Sequence, residues 1–333
     1  MENNYKLGCA IDIGTMNLVS ARQNQQGKVV TKSIRDCFLD LEPDAKKTLK
    51  LSRVPYTEQA GQLVVLGEAA FRFASLFKRE VRRPLQRGVI AAGELDAQKI
   101  LSLLIFHALD VPLTAGEACH YSVPAAPVDD TTQDVFYHQE VFRKILTDHG
   151  YKPTPVNEAM AILFSQCAQE NFSGVTMSYG SGQVNVALGY QTIEGLTFSH
   201  THAGDWVDIH AGKAVGLTAQ RMCVIKEKGV DLLAPKTREE EALALYMRSA
   251  MDYTLFHLKR EFDKVRATLD IAEPLPIILS GGMTRAGNFL PIFQEAIKGV
   301  ALPFEVSEVR LATDPMTSVA EGLLVLAQQE ADG

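Results

Sequence analysis

Two stretches of the chain, Cys9 to Ile34 (CAIDIGTMNLVSARQNQQGKVVTKSI) and Val175 to His200 (VTMSYGSGQVNVALGYQTIEGLTFSH), share one plan. Each is a β-branched strand, a tight turn with glycine at a matching place, a second alternating strand, a further glycine-containing turn and a third strand. The matching glycines are Gly14 and Gly180. Glycine lets backbone N–H groups approach an anion closely, so two such turns facing one cleft can grip a polyphosphate from both sides. The copies differ where charge matters. The first carries Asp12, a carboxylate able to order waters around Mg²⁺, and the second carries Ser178 in its place.

The elements that must hold these turns follow from periodicity and stop signals. A polar segment, Leu39 to Lys50, and a strand pair around Arg53 to Leu66 turning at Gly61 read as a small insertion. Asp96 can cap a helix whose apolar set is Ile100, Leu101, Leu104, Ile105 and Ala108. His120 to Val123 reads as a buried strand ending at Pro124. Thr131 followed by Asp134 is a capping-box-like start for a helix with Val135, Phe142, Ile145 and Leu146 inward, stopped by Gly150. Tyr151 to Asn157 is a short strand, and Glu158 begins the helix EAMAILFSQCA. After the second hairpin come a charged helical region from Thr237 to Leu269 and a strand, Pro276 to Ser280, running into Gly281 and Gly282. Asn288 can cap a helix from Phe289 to Lys298 with Gly299 as its stop, and Asp314 to Gln329 is an apolar-faced helix. Alternating strands and helices with a hairpin opening each half predict an α/β fold with a mixed sheet in each of two domains.

Composition narrows the function. At 333 residues the chain has room for roughly two domains, and 46% hydrophobic with 22% charged residues is ordinary for a soluble globular protein. A net charge of -7 argues against a general nucleic-acid or anionic-membrane binder. The cluster Lys78, Arg79, Arg82, Arg83 and Arg87 reads as a solvated face. No apolar run reaches the ~18 residues of a membrane span, and Met1 to Lys6 is polar with no signal-peptide core, so a cytoplasmic location is expected. Five scattered cysteines are an awkward number for a disulfide framework and read as reduced, mostly buried thiols.

Five segments, in order, resemble motifs of the bacterial actins, in the pattern of the rod-shape protein MreB and the magnetosome-organising MamK. The wider superfamily includes sugar kinases and heat-shock chaperone ATPases. Asp12 to Asn17 (DIGTMN) resembles the first phosphate motif, and Arg83 to Ile90 (RPLQRGVI) a segment of the rod-shape actins that is not a phosphate motif. Val156 to Ala161 (VNEAMA) resembles the connecting helix bearing the water-positioning residue. Ile225 to Lys228 (IKEK) resembles the pair near the ribose, and Ile278 to Arg285 (ILSGGMTR) the adenosine motif. The resemblance implies an actin-like fold of two duplicated ribonuclease-H-like domains around a nucleotide cleft. Domain one would be residues 1–155 plus 311–333, with an insertion at about 35–82; domain two would be 156–310, with a helical insertion at about 205–270.

It also implies roles. Thr15, Met16 and Asn17 on one side, with Gly14, and Ser181, Gly182 and Gln183 on the other, would hold the phosphates of ATP or ADP. Asp12 would hold Mg²⁺ through water, and Glu158 would orient the attacking water. Gly204 and Asp205 correspond to the turn after the hairpin, Lys226 and Glu227 to the ribose contact, and Gly281, Gly282, Met283 and Arg285 to the adenine contact. Each has a plainer reading: a strand-end aspartate, hairpin turns, a helix-start carboxylate, a surface ion pair, a strand-to-helix turn. Members of the family usually have an aspartate where this chain has Ser178 and a threonine where it has Gln183, which weakens metal-assisted hydrolysis more than nucleotide binding. His200, His202 and His210 near Asp205 and Asp208 read as a polar strand end rather than a metal site, and Ser181 lacks the G-x-S-x-G frame of a serine hydrolase. The implied protein is an ATP-binding filament former that assembles head to tail with itself and hydrolyses slowly. A non-filamentous nucleotide-binding adaptor for a cargo or partner protein and a small-molecule kinase are the rivals.

Overall fold

The structure is a computed structural model describing residues 5–59, 61–74, 79–267, 271 and 273–332. In chain order, β1 (Tyr5–Ile13), β2 (Asn17–Asn24) and β3 (Val29–Arg35) form an antiparallel meander. An insertion follows: β4 (Phe38–Leu41), α1 (Lys46–Leu51), β5 (Thr57–Gln59), β6 (Gln62–Leu66) and α2 (Gly67–Ala74), then a two-stranded hairpin of β7 (Leu85–Gln86) and β8 (Val89–Ile90). The first half closes with α3 (Ala97–Leu109), β9 (Glu117–Val123), α4 (Val135–Asp148) and β10 (Tyr151–Asn157). The second runs through α5 (Glu158–Gln166), β11 (Gly174–Tyr179), β12 (Val184–Tyr190), β13 (Ile193–His200), α6 (Gly204–Val215), α7 (Ala219–Glu227) and α8 (Arg238–Val265). It ends with β14 (Leu275–Ser280), α9 (Phe289–Ile297), β15 (Val306–Leu311) and α10 (Ser318–Asp332).

The two halves repeat one topology. One sheet has the order β3-β2-β1-β9-β10 and the other β13-β12-β11-β14-β15. In each, the hairpin's first strand is antiparallel to the second and parallel to the strand on its other side. The duplication seen in the hairpins therefore extends to whole five-stranded sheets. We call each sheet with its packed helices a lobe. α5 and α10 lie back to back between the sheets, burying Ala159, Ile162, Leu163, Val319, Ala320, Leu323 and Leu324 in one cluster with Ala10 and Ala187. Their contact is so close that a Cβ on Gly322 would stand 1.7 Å from the Ala161 carbonyl oxygen, so any larger residue forces the helices apart. This crossing fixes where the first residue of α5 points.

Several local expectations need correction. Leu39 to Lys50 is not simply polar: its first residues belong to β4, where Leu39 and Leu41 are buried against Leu63 and Val65 in the insertion's own small core. Asp134, not Thr131, is the N-cap of α4; its carboxylate accepts from the Tyr137 N–H at 2.8 Å. His138 rather than Val135 provides the first inward side chain of that helix. Asp96 and Asn288 occupy cap positions but make no side-chain capping bond, Asn288 instead donating to Asp231. The charged region is one helix capped by Thr237; Leu269, its expected end, lies outside the described residues. All five cysteines are buried and free. No helix among the described residues is long and apolar enough to cross a membrane.

The arginine cluster is largely neutralised. Arg82 pairs with Asp40, Glu94 and Asp96, Arg83 with Asp205, and Arg87 with Asp130, while Lys78 lies outside the described residues.

Candidate functional site

The two turns close with the same hydrogen bond. Gly14 N–H donates to the Asn17 carbonyl at 3.1 Å, and Gly180 N–H donates to the Gln183 carbonyl at 3.1 Å. In each case the glycine closes the turn with its own N–H, leaving the residues between to face outward. Among the described residues, the N–H groups of Thr15, Met16, Ser181 and Gly182 donate to no protein acceptor. All four residues line one cavity of about 290 Å³ between the lobes. Backbone donors with no protein partner on two facing turns are an anion cradle.

The turns approach each other through the β7–β8 hairpin, whose Gly88 N–H donates to Thr15 Oγ1 at 3.1 Å. A Cβ on Gly182 would stand 2.3 Å from both Gly88 N and Thr15 Oγ1, so glycine is required for the second turn to reach the first. Gln183 spans the same gap by donating to Gln133 Oε1 at 2.6 Å. The segment from Arg83 to Ile90, set apart from the phosphate motifs by sequence, thus contributes directly to the wall between the turns.

Two carboxylates stand at the base of this cavity. Asp12 projects from the end of β1, and its Oδ1 accepts from Ser122 Oγ at 2.8 Å; Ser122 Oγ in turn accepts from Ile13 N–H at 2.7 Å. Burial pushes the Asp12 carboxyl up to about 6 against the lowering effect of that hydroxyl. Glu158 is the first residue of α5, whose cap Asn157 accepts from the N–H groups of Ala159 and Met160. Glu158 is raised to about 8, first by burial and then by the Asp12 charge, with the Ser178 hydroxyl opposing through a hydrogen bond. Its Oε2 also accepts from Asn185 Nδ2 at 2.9 Å. The expected pairing of Asp12 with Glu158 in one cleft is therefore present, and the two repel.

Toward the mouth, Lys226, Glu227, Gly281, Gly282, Met283 and Arg285 line the cavity as the motif order implied. Some of their polar groups already have partners. Lys226 Nζ donates to the Gly204 carbonyl at 2.9 Å and pairs with Asp208 at 2.7 Å. The Glu227 carboxylate is held by Arg35 of the first lobe at 2.7 and 2.8 Å. Asp205 does not face the cavity: it takes both guanidinium nitrogens of Arg83 and the Ser181 hydroxyl, while its N–H and that of Gly204 tie α6 to the carbonyls of the second turn. Gly204 does line it. Arg35–Glu227 and Arg83–Asp205 are thus bridges from the first lobe to the second. His200 bonds to Thr254, and His202 stacks between Tyr253 and Trp206, so these histidines serve packing against α8.

Ser122, Gly88, Gln133, Asn185, Arg35 and Arg83 also build this region, although the sequence does not mark them as site residues. Gly88 and Arg83 lie in the Arg83 to Ile90 motif, and Asn185 lies on the second strand of the second hairpin; Ser122 and Gln133 carry no local signal.

The volactin family profile matches residues 7–327. The chain belongs to the volactin family. No curated protein matches its sequence. Among solved structures, this volactin-family chain is similar to the MamK double helical filament, with a TM-score of 0.73 at 17% identity over 96% of this chain and 98% of that one. It is similar to MreB 5 of Spiroplasma citri bound to AMPPNP, with a TM-score of 0.67 at 14% identity over 97% and 96% of the two chains. The ethanolamine utilization protein EutJ from Carboxydothermus hydrogenoformans gives 0.59 at 14% identity over 98% and 92%. The fold is therefore the actin-like α/β fold that the five motifs implied.

Proposed function

We propose that this chain is an actin-like cytoskeletal protein that binds ATP between its lobes, hydrolyses it slowly and assembles head to tail into nucleotide-dependent filaments in the cytoplasm. One observation carries the reading: unpartnered N–H groups of Thr15, Met16, Ser181 and Gly182, on two turns closed by the same hydrogen bond, line one cavity that also holds Asp12 and Glu158. The lobes that close on the nucleotide are residues 1–155 with 311–333 and residues 156–310.

In this reading the phosphates of ATP or ADP lie between Gly14 to Asn17 and Ser181 to Gln183, the ribose meets Lys226 and Glu227, and the base rests on Gly281 to Met283 beside Arg285. Gly204 supports the second turn from α6, and Asp205 anchors it through Ser181. The donor set fits magnesium held mainly through water: Asp12 is one hard oxygen ligand whose burial leaves its negative charge poorly compensated. Mg²⁺ held there through water would neutralise phosphate charge. Burial and the Asp12 charge raise Glu158 to about 8, so without nucleotide most of it is protonated near neutral pH; Mg²⁺ beside Asp12 would favour the ionised form, which orients water as a hydrogen-bond acceptor. Ser178 withholds a charged contact, and loss of one preorganised group typically costs on the order of 10²-fold in rate, which supports slow turnover.

A heterologous contact that does not close on itself yields open polymers. The similar MamK structures are a double helical filament and a non-polymerising mutant bound to AMPPNP, which supports self-association as the partner relationship. A nucleotide at about 100 times its Kd stabilises the closed form by ~2.7 kcal/mol, alongside the Arg35–Glu227 and Arg83–Asp205 bridges. Sedimentation with ATP or a non-hydrolysable analogue tests the proposal: filaments should pellet with nucleotide, and Asp12→Ala should pellet poorly with its circular dichroism intact. Monomers across nucleotide, salt and protein concentration would favour a nucleotide-binding adaptor, the reading that Ser178 motivates.

A further inference from the structure

Asn185 lies on β12 directly opposite Ser178 in the strand register and is buried, 1% exposed. Its side chain makes two hydrogen bonds with different neighbours. Oδ1 accepts from the Ala125 N–H at 2.9 Å, and Nδ2 donates to Glu158 Oε2 at 2.9 Å. A backbone N–H can only donate, so Ala125 dictates which way the amide faces. The nitrogen must then face Glu158, and Oε2 of Glu158 is held as an acceptor.

Ala125 belongs to the segment that leaves β9 in the first lobe and crosses to the second. There Ser199 Oγ donates to the Ala125 carbonyl at 2.8 Å, and Val128 N–H donates to the Ser199 carbonyl at 2.8 Å. The crossing segment, the strand residue Asn185 and the helix-start carboxylate thus form one hydrogen-bonded line. Neither end is a cavity wall made by chance: α5 is fixed by the Gly322 contact, and the segment is fixed by β13.

We infer that Asn185 is a positioning residue that sets the orientation of Glu158 and makes it dependent on the docking of the crossing segment, an inference that rests on the proposed hydrolysis in this cleft. Oε2 is committed to the amide, and the Ser178 hydroxyl on the neighbouring strand bonds the same carboxylate, so Asn185 fixes one oxygen of the group that would meet water. If the segment shifts as the lobes move, the amide loses its reference and Glu158 its orientation, so lobe position and water activation are linked through one side chain.

Asn185→Asp and Asn185→Ala separate the two bonds. The aspartate keeps an acceptor for Ala125 but presents a second oxygen to Glu158; alanine loses both contacts. Steady-state ATP hydrolysis is measured for both, with nucleotide binding followed independently by thermal shift. Asn185→Asp should lower kcat on the order of 10-fold or more with KM within about 2-fold, since misplacing a catalytic group slightly can cost up to about 10²-fold. Asn185→Ala should lower kcat and raise KM. In a Glu158→Gln background, Asn185→Asp should cost nothing further, because the group that it positions is already gone. An Asn185→Asp protein that binds ATP and turns over at the wild-type rate overturns the inference, as does a full additive loss on top of Glu158→Gln. A wild-type chain with no nucleotide-induced thermal shift would instead fail the parent proposal, and this inference with it.

Discussion

The first and second turns have one backbone and two chemistries. Both close by the same glycine-to-carbonyl hydrogen bond, and both sit at the end of a strand flanked by an antiparallel and a parallel neighbour. At the matching strand-end position, however, the first lobe has Asp12 braced by Ser122, whereas the second has Ser178 facing Asn185. Duplication therefore doubled the anion cradle and left the charge single. The remaining carboxylate, Glu158, comes from the helix between the sheets, and neutral donors from the second lobe hold it. The cleft presents like backbone donors from both lobes but a strand-end carboxylate from the first alone.

The largest effect should come from removing the unsymmetrical carboxylate. Glu158→Ala should lower ATP turnover about 10²-fold, the usual size of a lost acid-base group, with nucleotide binding preserved; a phosphate-release assay on protein that still shows its thermal shift measures this. Restoring symmetry should act in the other direction. Ser178→Asp should raise turnover in the presence of Mg²⁺, and an unchanged or lower rate would mean that the second lobe's neutrality is not what limits hydrolysis.

A smaller effect concerns the empty cleft's pH response. Glu158 is raised to about 8 in the folded protein, above its ordinary 4.5, so the folded state holds a proton that the unfolded chain releases. Its contribution is undiminished below about pH 4.5 and is lost as pH rises toward 8. Glu158→Gln cannot ionise, so without nucleotide its melting temperature relative to wild type should climb between pH 5 and 8. A constant difference across that range would contradict the raised carboxyl.

How much of this was legible in the chain differs by region. The hairpins, their glycines and the cavity-lining set from Asp12 to Arg285 could be read because each depends on a few contiguous residues with a required backbone shape. The insertion's first strand reads as polar because Leu39 and Leu41 are diluted by Asp40, Glu42 and Asp44, and only pairing with β6 reveals them as core. Partnerships across the cleft were not legible at all. Arg35 and Glu227 are 192 residues apart, and Arg83 and Asp205 are 122 apart, so nothing local marks either pair. Motif order points Asp205 to the nucleotide, whereas its carboxylate is taken up by Arg83 and Ser181. Asn185 carries no local mark; its contacts with Ala125 and Glu158 appear only when the crossing segment is brought beside it.

If two like turns and the Asp12 carboxylate bind a magnesium nucleotide, isothermal titration of the purified chain with a non-hydrolysable ATP analogue, with and without Mg²⁺ and with Asp12→Ala in parallel, will show it. Wild type should have one site per chain that Mg²⁺ tightens, and Asp12→Ala should lose roughly 10-fold or more of that Mg²⁺-dependent affinity, in line with the cost of removing groups that hold a metal's waters. No binding at millimolar analogue, or binding indifferent to both Mg²⁺ and Asp12, would contradict it.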